Sequence, residues 1–117
     1  MQEQMIEQSI MDYKEGVSKF AKHMPDVVNH YHAFTDACFQ DGVIAKKTKH
    51  LIGMSLGIQS GDEYCIIYHT KNAVDCGASE QEVMEAASVC AAFGGGYAMS
   101  QVVTLLQDTM ATVQKVH

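Results

Sequence analysis

The sequence predicts an all-α fold of about six helices joined by short turns. Apolar residues recur every three or four positions through most of the chain, which is the period of an amphipathic helix. No segment alternates apolar and polar residues between turn signals, as a half-buried strand does. The 117 residues are enough for one domain, 1–117, with a sizeable core.

The first two helices are separated by the only proline in the chain. The first is predicted over residues 4–22 and carries a heptad-like apolar stripe, which more often packs on its own domain than on a partner. This stripe comprises Ile6, Ile10, Tyr13, Val17, Phe20 and Met24. The apolar faces of the first and last helices are nevertheless too extensive for one core, so we expect part of them to lie between protomers. Pro25 ends the first helix and can begin the second, in which we expect Cys38 to be a core residue.

The third and fourth helices carry the most informative residues. The third is predicted over residues 44–58, where Gly53 and Gly57 would each destabilise an exposed helix by roughly 1 kcal/mol. We therefore expect another backbone to approach these two glycines closely. The fourth helix follows the capping segment Ser60-Gly61-Asp62 and stops near Cys76-Gly77.

Two further helices complete the prediction. Ser79 and Glu82 have the spacing of a capping box at the start of the fifth helix, which ends or bends at Gly94-Gly95-Gly96. The last helix is predicted over residues 97–115 and is apolar on more than one face, so it should pack on several neighbours, some of them in another subunit.

Composition excludes several classes of function. The net charge is −6 and arginine is absent, so nucleic acid is not an expected partner. No apolar run approaches the roughly 18 residues of a membrane span, and the polar, acidic start of the chain does not resemble a signal peptide. We therefore expect a cytoplasmic protein. The four cysteines form no CxxC pair, which argues against a disulfide framework or a zinc ribbon.

The fourth helix places a thiol and an imidazole one turn apart. Cys65 and His69 are four residues apart, so their Cβ atoms should lie about 6 Å apart on one face. A histidine at that distance can take a proton from a cysteine, and the helix N-terminus favours the resulting thiolate. Asp62 and Glu63 oppose this, because nearby carboxylates disfavour a second negative charge. The alternative is that both residues are only packed in the core.

Four ordered motifs resemble the carboxymuconolactone decarboxylase / alkylhydroperoxidase D-like family, over roughly residues 25–110. They are Lys49-His50-Leu51-Ile52, Tyr64-Cys65-Ile66-Ile67-Tyr68-His69, Ala73-x3-Gly77-Ala78-Ser79-x2-Glu82 and Ala91-Ala92-Phe93-Gly94-Gly95-Gly96. The resemblance implies an all-helical fold that assembles into trimers or hexamers. In the redox branch of the family, one cysteine of a CxxC pair attacks a peroxide and the other closes a disulfide, while a histidine and a glutamate relay protons.

The chain departs from that pattern at two positions. Cys65 and His69 match the second cysteine and the histidine, but Asp62 stands in place of the first cysteine and His50 in place of the glutamate. A two-cysteine cycle within this helix is therefore excluded, whereas a one-cysteine cycle resolved by an external thiol or another cysteine stays open. His50 can relay a proton to His69, because imidazole titrates near neutral pH.

Three functions follow as hypotheses. The first is a thiol-dependent, peroxiredoxin-type oxidoreductase acting on a small peroxide, with Cys65, His69 and His50 as catalytic residues and no cofactor. The second is a decarboxylase or lyase acting on a small carboxylated lactone, as in the other branch of the family, which the absence of arginine makes less favourable. The third is a non-catalytic helical homo-oligomer. A zinc site formed by the same three residues is a further, weaker alternative.

Overall fold

The computed structural model describes residues 2–116, and the side chains of residues 3–114. Within this range the chain is helical almost throughout and contains no strand, so the all-α prediction is confirmed. The helices are α1 (Gln2–His23), α2 (Pro25–Cys38), α3 (Lys46–Ser60), α4 (Glu63–Asp75), α5 (Glu80–Gly94), α6 (Gly96–Gln101) and α7 (Gln107–Val116). A π-helical segment, Val102–Leu106, joins α6 to α7 without a break, so these three segments form the sixth helical rod.

The centre of the molecule is the antiparallel pair α3 and α4, which pack against each other more extensively than any other two helices described. Gly53 and Gly57 lie in this contact, as predicted. A Cβ built on Gly57 would lie 3.1 Å from the backbone nitrogen of Ile66, and one built on Gly53 would lie 2.8 Å from the ring of His69. The absence of side chains at these two positions is what allows α4 to lie so close to α3.

The remaining core comes from α5 and the terminal rod. Met54 and Ile58 of α3 are fully buried with Ile66 of α4, Val83 of α5 and Leu106 of the π-helical segment. The predicted capping box is present in α5, because Ser79 and Glu82 each accept a hydrogen bond from the other's backbone N–H. The π-helical segment was not predicted from the sequence.

Helices α1 and α2 lie outside this core. Helix α1 packs on α4 and α7, and α2 packs mainly on α1. The apolar stripe of α1 is buried at Ile6, whereas Tyr13 and Phe20 are 40% and 52% exposed. Helix α2 has no buried residue. The expectation that Cys38 belongs to the core is therefore wrong for this chain, where its side chain is exposed.

None of the helices between residues 2 and 116 combines the length and the apolar character that crossing a bilayer requires.

The loop between α2 and α3 is short and is held by polar contacts to its own backbone. Asp41 accepts a hydrogen bond from the backbone N–H of Lys46, and the ammonium of Lys49 donates to the carbonyl of Gln40. These contacts fix where α2 ends relative to the start of α3, whose second turn carries His50.

Candidate functional site

The first turn of α4 presents Cys65 next to the carboxylate of Asp62. Asp62 has extended backbone angles and is the N-cap of α4, and its side chain accepts a hydrogen bond from the backbone N–H of Cys65 at 3.1 Å. The capping prediction is therefore confirmed, and the cysteine lies in the first turn. The thiol is partly buried rather than sealed in the core.

The surroundings of Cys65 favour the thiol over the thiolate. Burial raises the pKa of Cys65 to about 11, and hydrogen bonding to Asp62 and the negative charge of that carboxylate act in the same direction. Asp62 thus opposes the thiolate, as noted from the sequence, and burial opposes it more strongly. At pH 7 only about one molecule in ten thousand would carry the thiolate at that pKa.

The second part of the site is a pair of histidines contributed by α3 and α4. His50 Nδ1 and His69 Nδ1 are 3.0 Å apart, a hydrogen-bond distance, and His50 is buried with 2% of its surface exposed. The contact depends on the close approach of the two helices at Gly53. Of the two nitrogens, one must donate and the other accept when both rings are neutral. If His69 donates from Nδ1, its Nε2 is free to accept a proton from another group.

Both histidines are held in the neutral form. Burial, together with the smaller effects of the neighbouring His69 and Lys46, lowers the pKa of His50 to about 4. Burial also lowers the pKa of His69, although the Asp62 carboxylate partly opposes this. At neutral pH the pair can therefore accept a proton, as a general base must. No hydrogen bond joins Cys65 directly to His69 in the part of the chain that the structure describes.

Aromatic side chains cover the two imidazoles. The ring of Phe39, just beyond α2, stacks on His50 with a centroid separation of 4.6 Å and on His69 with 4.9 Å. On the other side of the site, Tyr13 of α1 stacks on Tyr64 of α4 at 3.7 Å with an angle of 7° between the rings. The Phe39 ring covers both imidazoles, and the Tyr13–Tyr64 stack forms another aromatic part of a wall that also contains polar groups.

All three predicted site residues line one cavity of about 580 Å³, together with Asp62. The structure thus brings Cys65, His69 and His50 together. Other wall residues were not foreseen, and they come from α1, from α2 and its C-terminal end, and from the start of α3: Tyr13, Tyr31, His32, Asp36, Phe39 and Lys46. The sequence pattern of these helices did not indicate that they line a cavity. Which helix faces the cavity depends on tertiary packing, which the pattern does not show. For the suggested zinc site, no three His, Cys, Asp or Glu side chains among the described residues converge enough to hold a metal.

The helical fold and this thiol–imidazole cavity define a class of small all-α proteins with a candidate acid–base or redox site. The family model for the carboxymuconolactone decarboxylase family matches residues 25–108. The chain belongs to this family, and the resemblance noted in the sequence is confirmed.

Solved structures of the family have the same fold. One is a carboxymuconolactone decarboxylase family protein from Legionella pneumophila, with 26% identity, a TM-score of 0.86, and coverage of 92% of this chain and 96% of that one. Another is a Thermotoga maritima family member with 19% identity and a TM-score of 0.65, covering 86% of this chain and 89% of that one; its name includes a possible antioxidative response. Because the identity to the Thermotoga maritima protein is only 19%, that similarity indicates a shared fold and nothing more.

A curated relative extends the comparison in sequence. An uncharacterized protein of Cupriavidus necator is 28% identical over 72 residues, which is 62% of this chain. The match spans 64% of that protein's own length.

Proposed function

We propose that this protein is a thiol-dependent, peroxiredoxin-type oxidoreductase in which Cys65 attacks a peroxide, His69 accepts the thiol proton and His50 shares it. The observation that carries the proposal is the 3.0 Å contact between two neutral imidazoles on the wall of the cavity that also contains the Cys65 thiol. Because both pKa values are lowered, the pair is unprotonated at neutral pH and has a ring nitrogen free to accept a proton, but it is a weaker base than a solvated histidine.

The proposed first step is a two-electron oxidation of the sulfur. As the proton leaves the thiol for His69, the sulfur attacks the terminal oxygen of a hydroperoxide, and the O–O bond breaks. The cysteine becomes a sulfenic acid, and the released alkoxide takes the proton and leaves as an alcohol. Because the pKa of Cys65 is raised to about 11, the proton is removed during the attack and not beforehand.

The second step needs a reductant from outside the chain. Asp62 occupies the place of a local partner thiol, so we propose that a small external thiol condenses with the sulfenic acid, releasing water and forming a mixed disulfide. A second thiol then frees Cys65 and leaves as the oxidised disulfide. A thiol-rich cytoplasm would supply this reductant, and the four cysteines of the chain are free, as such a compartment maintains them.

A lyase acting on a small carboxylated lactone is the second candidate. The observation that favours it is the presence of Lys46 in the same cavity as the two neutral histidines, next to a cysteine that stays protonated. The lysine could bind a carboxylate, and the histidines could move a proton within the substrate. The two acidic groups in the cavity, Asp36 and Asp62, count against a substrate with several carboxylates.

We also propose that the chain forms a homo-oligomer, a trimer or a hexamer, through the outer faces of α3 and α5. Four large apolar side chains are exposed there: Ile52, Leu56, Val89 and Phe93, by 47%, 64%, 61% and 88%. They border one shallow apolar depression, and contiguous exposed surface of this kind is typical of an interface. Light scattering should give a mass above that of one chain, and Phe93→Ser should reduce it. A non-catalytic oligomer, the third hypothesis, would keep this mass and reduce no peroxide.

Peroxide consumption by the protein with dithiothreitol tests the main proposal. Cys65→Ser should lower the rate at least 100-fold, whereas Cys76→Ser, which changes an exposed cysteine at the far end of α4, should leave it unchanged. Dimedone should label Cys65 only after peroxide is added. Consumption that survives Cys65→Ser would overturn the proposal. Turnover of a lactone acid that survives Cys65→Ser but not His69→Gln would favour the lyase.

A further inference from the structure

The ring of Phe39 lies at a small angle to both imidazoles of the histidine pair. The two imidazole planes are inclined by 37° to each other, and the Phe39 plane is inclined by 23° to His50 and by 17° to His69. Its centroid lies 4.6 Å from that of His50 and 4.9 Å from that of His69. Tyr68 also stacks on both imidazoles, but its centroid is 6.2 Å from that of His50. Among the described side chains, Phe39 is therefore the ring that covers the pair as a unit.

The position of Phe39 is set by backbone hydrogen bonds at the end of α2. Phe39 directly follows the last residue of this helix, and its backbone N–H donates to the carbonyl of Thr35 at 3.1 Å. The next carbonyl, that of Gln40, accepts a hydrogen bond of 2.7 Å from the ammonium of Lys49 on α3. The backbone around Phe39 is thus tied to α2 and to the helix that carries His50. Its side chain is partly buried, although α2 itself has no buried residue.

The hydrogen bond between the two Nδ1 atoms needs both imidazoles in one orientation. The second side-chain torsion of a histidine has broad, roughly two-fold minima, so the ring turns easily unless its neighbours prevent it. The α3 backbone restricts His69, since a Cβ built on Gly53 would lie 2.8 Å from its ring. The Phe39 ring borders both imidazoles, and turning either of them out of its plane would drive ring atoms toward Phe39. Stacking leaves the orientations near that plane, and the hydrogen bond selects among them the one in which Nδ1 faces Nδ1.

We infer that Phe39 is a positioning residue, which holds the His50–His69 hydrogen bond in place by stacking on both rings. Its importance for catalysis rests on the function proposed above, in which the pair accepts the thiol proton, but its effect on the ring orientations does not. The planar ring is the required feature. An aliphatic side chain of similar size would also cover the imidazoles, but it cannot stack on them and so would not restrict them to one plane.

Nitrogen NMR of the histidine rings at pH 7.5 tests the inference, with His50→Gln and His69→Gln to assign the signals. The wild type should show fixed tautomers, with the proton on Nδ1 of one ring and on Nε2 of the other. Phe39→Leu should give averaged nitrogen shifts for both rings, whereas Phe39→Tyr, which keeps a planar ring, should retain the wild-type shifts. The matched control Phe34→Leu, at a 65% exposed position of α2 outside the cavity wall, should also retain them. Averaged shifts in the wild type, or fixed tautomers in Phe39→Leu, would overturn the inference.

Peroxide kinetics on the same variants connect the ring orientations to turnover. Phe39→Leu should lower kcat about tenfold and leave KM within about twofold, because the base is misplaced while the cavity stays open. Phe39→Tyr and Phe34→Leu should keep kcat within about twofold of the wild type. A wild-type kcat in Phe39→Leu despite averaged shifts would overturn the positioning role. A protein that consumes no peroxide would refute the proposed function, but the NMR comparison would still decide whether Phe39 orients the pair. Circular dichroism checks folding, and Phe39→Met, which also lacks a ring, replaces Phe39→Leu if that variant does not fold.

Discussion

The α3–α4 pair and the α1–α2 pair contribute to the same cavity in opposite ways. Between α3 and α4 the backbones are in near contact at Gly57, and the side chains that meet there, His50 and His69, are hydrogen-bonded to each other. Between α1 and α2 a groove is open, and α2 buries none of its residues. The first pair fixes the groups to which we assign the chemistry, whereas the second provides walls whose shape has few packing constraints.

The difference in packing between the two helix pairs suggests how one fold could retain the same reacting groups while its cavity walls vary to fit different substrates. Close-packed interiors tolerate few changes of volume, so the distances among the groups on α3 and α4 are expected to be rigid. A loosely packed helix pair can change side chains at little cost in stability. Substitutions in the two regions should therefore have different consequences, and the predictions below test this from the largest effect to the smallest.

Among the changes that compare the two helix pairs, adding one methyl group at Gly53 should cause the largest loss of activity. The Cβ of Gly53→Ala would lie 2.8 Å from the His69 ring, so the ring must move and its contact with His50 must lengthen. Misplacing a catalytic group by about 1 Å can cost 100-fold in rate, and we expect about that loss in peroxide turnover. Gly96→Ala, where a Cβ would meet nothing within 4 Å, is the matched control. Equal rates for the two variants would contradict a rigid α3–α4 site.

The stability of the protein should fall in acid because of the buried His50. Its pKa is lowered to about 4 by burial, so between pH 6.5 and pH 4 the unfolded chain binds a proton that the folded chain does not. Stability from this group is complete above the unfolded pKa near 6.5 and is lost as the pH falls toward 4. A pKa difference of this size would lower the free energy of unfolding by about 3 kcal/mol in acid. Solvent in the cavity should reduce this loss to about 2 kcal/mol.

Urea unfolding at several pH values measures this effect, with His30→Gln as the control because His30 is exposed on α2. His50→Gln should remove much of the dependence between pH 6.5 and pH 4, and His30→Gln should keep it. A wild-type stability that is flat over this range would show that His50 is not held neutral by burial.

The predictions for Gly53 and His50 use residues that the sequence analysis had already singled out. The spacing of Cys65 and His69, the cap at Asp62 and the two glycines of α3 are local patterns, and local patterns predict helix caps and close helix contacts well. The histidine pair could be suggested only by alignment of His50 with a family position, because His50 and His69 are nineteen residues apart on different helices. The predicted helices agree with the structure within about two residues at most ends.

The α1–α2 walls could not be predicted in the same way. The apolar stripe containing Tyr13, Val17 and Phe20 has the period of a core-facing helix, and the same is true of the stripe of α2 that ends at Cys38. Periodicity shows that a helix has an apolar face but does not show what covers that face. Here the face of α2 is left exposed in the chain, and part of it lines a groove next to the site.

Removing the charge of Asp62 should make Cys65 more reactive. Asp62→Asn keeps a residue that caps helices well but removes the carboxylate that, after burial, raises the pKa of the thiol. We expect the pKa to fall by about one unit, which would raise the rate of alkylation by iodoacetamide at pH 8 about tenfold. Glu63→Gln, which neutralises the exposed neighbouring carboxylate, should change the rate less. Equal rates for Asp62→Asn and the wild type would mean that burial alone raises the pKa.

The smallest predicted effect is a gain in stability at Gly16. This glycine lies in the middle of α1, has no neighbour within 4 Å of a built Cβ and is not required to adopt a positive φ. Gly16→Ala should therefore stabilise the protein by about 0.5–1 kcal/mol through helix propensity. The same change at Gly57 gains the same propensity but forces a Cβ to 3.1 Å from the backbone of Ile66, and overpacking of this kind costs about 1–3 kcal/mol. Urea midpoints should move in opposite directions for the two variants. Midpoints that move together would mean that α1 and α3 are packed alike, and the contrast between the two helix pairs would fail.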